Sequence, residues 1–177
     1  MADPFLRAVE LPADRDGRPR SGYPWTLPAI APLAAGVPLH PSITYLIGEN
    51  GSGKSTLLEA VAVAAGMNPE GGSSSFAFNT RASHSELSSA IRLVRSGRRP
   101  RTDFFLRAES MFNSATYLEQ LNDDTGLAGN PLALYAGRSL HEQSHGESFL
   151  AVMINRFGPD GLYLLDEPEA GCRPRTG

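Results

Sequence analysis

Three observations predict an α/β fold. Ile43-Thr44-Tyr45-Leu46-Ile47 is a β-branched and aromatic run that reads as a buried strand; a Gly-rich loop follows, then a helical stretch over 56–65 closed by Gly66. More than a hundred residues later, Leu162-Tyr163-Leu164-Leu165 is an apolar run ending in two acids, Asp166 and Glu167, the pattern of a strand buried along its length with a polar tip. The chain has 177 residues and 41% hydrophobic content, enough for one α/β domain with a core and too little for a second full one.

The elements follow in order. Residues 5–11 alternate enough to form a strand, and 12–22 are polar and punctuated by Pro and Gly, as a turn is. Prolines through 23–39 exclude a helix there and predict an extended or looped segment. Gly71-Gly72-Ser73-Ser74-Ser75 reads as a flexible loop and Phe76-Ala77-Phe78 as a short strand. Leu87, Ile91 and Val94 carry helical spacing over 85–95, with Ser83 or Ser85 as the cap. Residues 102–108 read as a strand, 111–121 as a helix, 126–137 as a loop and 149–156 as an apolar helix. No internal repeat is visible.

The Gly-rich loop carries chemistry. Gly48-Glu49-Asn50-Gly51-Ser52-Gly53-Lys54-Ser55 is a complete phosphate-binding, or Walker A, sequence, and Lys54 is the only lysine among sixteen basic residues. Glycines let the backbone take positive φ and turn its N–H groups onto phosphate oxygens. A compact ammonium reaches along such a loop where a planar guanidinium fork does not fit. Ser55 stands where its hydroxyl meets Mg²⁺, Thr56 follows it, and the helix N-terminus adds partial positive charge. Gly48, Asn50, Gly51, Ser52, Gly53, Lys54, Ser55 and Thr56 are therefore the expected nucleotide contacts. Tyr23 or Trp25 is a candidate to stack on the adenine ring, with core packing as the alternative. At the far motif, which reads as Walker B, Asp166 would hold Mg²⁺ through water and Glu167 would polarise the attacking water.

Composition narrows the remaining classes. A net charge of −3 gives no global attraction to nucleic acid or anionic lipid. Arg92, Arg95, Arg98, Arg99 and Arg101 form a local basic cluster, read either as a solvated loop or as a nucleic-acid or partner patch. Met1-Ala2-Asp3-Pro4-Phe5 lacks the basic start of a signal peptide, and no apolar stretch is long enough to span a membrane, so a cytoplasmic protein is expected. With Cys172 the single cysteine, neither a disulfide framework nor a cysteine-based metal site is available within the chain.

Between the two motifs, Ser144-His145-Gly146-Glu147 precedes the apolar helix at 149–156 and resembles the signature motif of ABC-type ATPases, usually Leu-Ser-Gly-Gly-Gln. Gln143 stands for the leucine, His145 for the first glycine and Glu147 for the glutamine. Ser144 and Gly146 keep a hydroxyl and a bare backbone at a helix start. More closely, 48–59, 104–116, 137–149 and 162–170 resemble a family of small bacterial AAA-family ATPases with ABC-like sites. The resemblance covers most of the chain from residue 41 onward.

It implies a P-loop NTPase with an ABC-like mixed sheet flanked by helices, forming one ATP-binding domain over 1–177 with its core from about residue 41. It also implies ATP and Mg²⁺ as cofactors, Mg-dependent hydrolysis with Lys54 and Glu167 as catalytic groups, and an ATP-dependent head-to-tail homodimer. There Ser144, His145, Gly146 and Glu147 act in trans, and Glu109 falls at the Q-loop position, where a glutamine is usual. The tail Gly171-Cys172-Arg173-Pro174-Arg175-Thr176-Gly177 departs from the family pattern, which continues with a D-loop, a further helix and strand and a switch histidine. The expectation is a truncated or frameshifted product lacking its C-terminal strand or strands. Two alternatives to this reading stay open: a nucleotide-binding module deficient in turnover, and a DNA-associated ATPase of the repair type.

Overall fold

A computed structural model describes residues 3–14, 17, 20–69, 71, 86–107, 150, 153–154 and 157–168. Contacts group the chain into two compact units, Met1–Pro69 with Ala77–Pro100 and Glu70–Phe76 with Arg101–Gly177. Among the described residues the strands form one antiparallel and one parallel sheet, where a single mixed sheet was expected.

The first unit is built on strands β1 (Leu6–Glu10), β2 (Val37–Pro38) and β3 (Arg92–Arg95), antiparallel in the order β2-β1-β3. Leu6 and Val9 are three apart, a spacing that would place them on opposite faces of a regular strand. The register slips by one residue between Leu6 and Ala8, and this bulge leaves both of them buried. A 3₁₀ turn at Ala31–Ala34 buries Leu33, and the Leu11 N–H donates to the Leu33 carbonyl at 2.8 Å.

Helix α1 (Lys54–Ala65) starts two residues before the expected position and buries Leu57, Ala60, Val61 and Ala62. Its end is set by Gly66 at φ 98°, where Gly66 N–H donates to Val63 and Met67 N–H to Ala62, both at 2.9 Å. That pair of bonds is a Schellman closure, with the buried Met67 packing behind it. Arg95 Nη2 donates to the Ala64 carbonyl at 2.9 Å, a cation on the last turn of the helix.

Two expectations fail in this unit. The helix over 85–95 is only α2 (Leu87–Ala90): Ile91 turns to ψ 152° and the chain continues as β3. Pairing with β1, from Leu6↔Arg95 to Glu10↔Arg92, overrides the helical spacing of Leu87, Ile91 and Val94. The buried strand over 43–47 is also absent, since those residues form no strand, and Ile43, Tyr45 and Ile47 are 61%, 78% and 94% exposed. A strand exists only where a neighbour accepts its ladder, and no described strand pairs with this segment. Just ahead, the His40 N–H donates to Thr44 Oγ1 at 2.9 Å and the Ser42 N–H to His40 Nδ1 at 3.2 Å, local bonds that tie the chain into a turn.

In the second unit, β4 (Thr102–Arg107) and β5 (Gly161–Asp166) pair in parallel, from Thr102↔Gly161 to Arg107↔Asp166. Phe104, Phe105 and Leu106 are buried in succession, so β4 is covered on both faces, the usual condition of a parallel strand. Tyr163 ties the start of the pair together. Its hydroxyl lies 2.6 Å from Thr102 Oγ1, accepts from Gly158 N–H at 2.7 Å and donates to the Gly158 carbonyl at 2.9 Å, while its ring stacks on Phe157 at 4.0 Å. Of the apolar helix expected over 149–156, residues 150, 153 and 154 are described, and they are helical. The expected strand at Phe76-Ala77-Phe78, the helix at 111–121 and the loop at 126–137 lie outside the described residues.

Candidate functional site

The Gly-rich loop owes its shape to backbone geometry. Gly51 and Gly53 sit at φ 78° and 94°, left-handed conformations that side-chain-bearing residues rarely adopt. The Ser52 N–H donates to the Glu49 carbonyl at 3.2 Å, closing the turn. Lys54 folds back over it, with Nζ donating to the Gly48 and Glu49 carbonyls at 2.8 Å each. Gly48 is also closely approached: a Cβ there would stand 3.0 Å from Ser52 Oγ, a buried hydroxyl with no hydrogen-bond partner, which would have to shift.

Gly53 is the N-cap of α1, and no side chain caps that end. The first-turn amides of a helix have no intrahelical acceptor, so an uncapped N-terminus following left-handed glycines is suited to an anion. Lys54, Ser55 and Thr56, all half-buried, make up that first turn, while Gly48, Asn50 and Gly51 are exposed. The chemistry of these groups fits a phosphate chain: amides, one ammonium and one hydroxyl, with no carboxylate among the residues from Gly51 to Thr56.

Sequence reasoning missed what holds the loop from below. Residues 22–30 form consecutive turns, in which the Leu27 N–H donates to Pro24 at 3.1 Å and the Ile30 N–H to Leu27 at 2.9 Å. From this segment the Ala29 N–H donates to the Ser52 carbonyl at 2.9 Å. Leu27 lies against Gly53 so closely that a Cβ on the glycine would stand 2.9 Å from both Cβ and Cδ1 of the leucine. Leu27, apolar in a run of turn formers, was the one available signal. Of the two aromatic candidates nearby, Tyr23 is 70% exposed, and Trp25 carries the Arg20 guanidinium 4.8 Å from its ring centroid.

In the second unit, Asp166 ends β5 and is 8% exposed. Glu167 leaves the strand at φ 53°, an uncommon conformation for a side-chain-bearing residue, and is exposed. Beside Asp166, in register across the parallel pair, lies Arg107, with Nε 3.7 Å from Asp166 Oδ2. Arg107 was not among the expected site residues. Glu109, Ser144, His145, Gly146 and Glu147 lie outside the described residues. The described residues contain no group of three His, Cys, Asp or Glu side chains that could hold a metal ion. The Ser55 hydroxyl in the first unit and the Asp166 carboxylate in the second are each, taken alone, oxygen donors of the kind Mg²⁺ accepts.

The basic cluster is largely taken up by the fold. Arg92 Nε donates to Glu10 Oε2 at 2.9 Å, and Arg95 caps α1. Arg98 Nη1 donates to the Asp3 carbonyl at 2.9 Å with its Cζ 5.0 Å from the Phe5 ring centroid.

Among the described residues, no helix is long and apolar enough to cross a membrane. No curated protein and no solved structure matches the chain. The family described as AAA domain matches residues 36–124, half of the 177-residue chain, taking in β2, the Gly-rich loop, α1 and β4. By that match the chain belongs to the AAA domain family, with nucleotide-binding, ATPase-type function.

Proposed function

We propose that this chain binds ATP with Mg²⁺ and hydrolyses it, as an ABC-like P-loop ATPase whose single ATP-binding domain spans 1–177. The observation that carries the reading is the loop itself: two left-handed glycines lead into an uncapped twelve-residue helix whose first residue is the chain's one lysine. In this reading Lys54 exchanges the carbonyls of Gly48 and Glu49 for oxygens of the β and γ phosphates, and the amides from Gly51 to Ser55 hold the phosphate chain. Mg²⁺ would supply positive charge to offset the negative charge that develops on the phosphate oxygens. Ser55 and Asp166 are its proposed protein ligands, Asp166 through water. Glu167 orients the attacking water, Glu109 takes the Q-loop role, and Ser144, His145, Gly146 and Glu147 act from a second copy in an ATP-dependent homodimer.

The test is equilibrium titration of the full chain with a fluorescent ATP analogue. Lys54→Ala abolishes binding or weakens it severely, and Lys54→Arg is nearly as damaging because a guanidinium cannot occupy the same point. Unchanged affinity in both variants overturns the assignment. Phosphate release by the unmodified chain then separates an ATPase from a nucleotide-binding module without turnover.

A further inference from the structure

The parallel register of β4 and β5 brings two opposite charges together at the tips of both strands. Arg107 and Asp166 are register partners, and Nε lies 3.7 Å from Oδ2, a charge contact longer than a hydrogen bond. Both side chains are largely withdrawn from water, at 20% and 10% exposure. In so screened a place the attraction is much stronger than between surface charges. The guanidinium is also held from its own strand. Phe105, two residues back on the same face, is fully buried, and its ring centroid lies 6.0 Å from Arg107 Cζ. Arg107 thus lies between an aromatic ring and the carboxylate.

We propose that Arg107 is a positioning residue that acts through Asp166. Its guanidinium occupies the carboxylate when no cation is present, keeps it at the tip of β5, and yields it to an incoming divalent cation. The inference rests on the reading of Asp166 as a Mg²⁺ ligand. Two cations that compete for one carboxylate are negatively coupled, and the coupling is reciprocal: removing one strengthens the other. An arginine that served the fold alone would alter stability and leave the Mg²⁺ requirement where it was.

The experiment follows binding of the fluorescent ATP analogue to the full chain as free Mg²⁺ is raised, in the wild type, Arg107→Met and Arg107→Gln. In both neutral variants the Mg²⁺ concentration for half-maximal binding falls by roughly fivefold or more. In EDTA, Arg107→Met lowers the urea midpoint, and does so less in an Asp166→Asn background, where the attraction between the two charges is already gone. A half-saturating Mg²⁺ equal to or above that of the wild type, in a protein that still needs Mg²⁺ to bind the nucleotide, overturns the proposal and leaves the ATPase reading standing. Analogue binding that ignores Mg²⁺ in the wild type refutes the Mg²⁺ reading of Asp166, and the role of Arg107 falls with it. Should Arg107→Met fail to fold, Arg107→Gln carries the same comparison.

Discussion

Gly53→Ala tests the support beneath the phosphate loop. Two separate costs meet at this position. An alanine at φ 94° sits in left-handed space, which costs about 1–2 kcal/mol. Its Cβ would also stand 2.9 Å from both Cβ and Cδ1 of Leu27, and forcing a carbon into so tight a contact costs about 1–3 kcal/mol more. Alanine restricts the unfolded chain, which returns about 0.4–1 kcal/mol. The net loss is roughly 1–5 kcal/mol from a domain whose whole stability is about 5–15 kcal/mol, enough to lower the thermal midpoint by roughly 2–20 °C. Gly51→Ala is the control, because Gly51 has φ 78° but nothing within 4 Å of the new Cβ. It carries the conformational cost with the same return from the unfolded chain and no contact penalty, a net loss below about 2 kcal/mol. Urea denaturation of both variants, each also made in a Leu27→Ala background, isolates the part of the contact made beyond the leucine Cβ as a coupling energy. Truncating Leu27 removes the Cδ1 and Cγ contacts and lowers the Gly53→Ala penalty, while the Cβ that alanine keeps at 2.9 Å holds it above that of Gly51→Ala. If Gly53→Ala costs no more than Gly51→Ala whether or not Leu27 is truncated, Leu27 does not brace the loop.

Glu167→Gln keeps Asp166 and the phosphate loop but removes the group proposed to orient water. It leaves affinity for the ATP analogue near the wild-type value, lowers phosphate release by about 100-fold or more, and gives an ATP-dependent dimer in size-exclusion chromatography; normal turnover by a monomeric variant removes Glu167 from the mechanism. Tyr163→Phe deletes the hydroxyl that engages Thr102 Oγ1 and both backbone groups of Gly158, and it costs about 1–3 kcal/mol in urea denaturation while the Phe157 stack survives. An unchanged midpoint there shows that the hydroxyl does not secure the start of β5.

Local signals made several elements legible. Gly66 marks the end of α1 because only a residue tolerant of φ 98° can close that helix, and the glycine is visible in the sequence. Strands β4 and β5 are read from unbroken apolar runs, and β4 is buried at Phe104, Phe105 and Leu106 as a parallel strand covered on both faces is, whereas Leu162 to Leu165 of β5 are half-buried. Where the deciding partner is distant, the reading fails. Leu93 and Val94 belong to a strand because β1 lies opposite them, and nothing within 85–95 reveals that neighbour. Ile43 to Ile47 has strand composition but no described strand beside it, and composition supplies no acceptor for a backbone amide. Arg107 escaped notice for the same reason, since its importance rests on a register partner fifty-nine positions later.

The loop shows both limits at once. Its glycines announce which residues must adopt left-handed φ, and the structure places Gly51 and Gly53 there. They do not announce Leu27 or the Ala29 amide, which lie more than twenty residues upstream and meet the loop only after folding. Lys54 joins the two kinds of information. In a chain that uses arginine at every other basic position, a single lysine already asks for a point charge in place of a planar fork. The geometry supplies the reason: one Nζ reaches two carbonyls of the same tight turn, Gly48 and Glu49, at 2.8 Å each. A tetrahedral ammonium can divide its protons between converging acceptors, whereas a guanidinium directs its donors outward in one plane and needs acceptors set side by side. In the proposed function the same point charge that bridges the loop's carbonyls turns to phosphate oxygens. That is why Lys54→Arg, though it keeps the charge, is expected to fail almost as completely as Lys54→Ala.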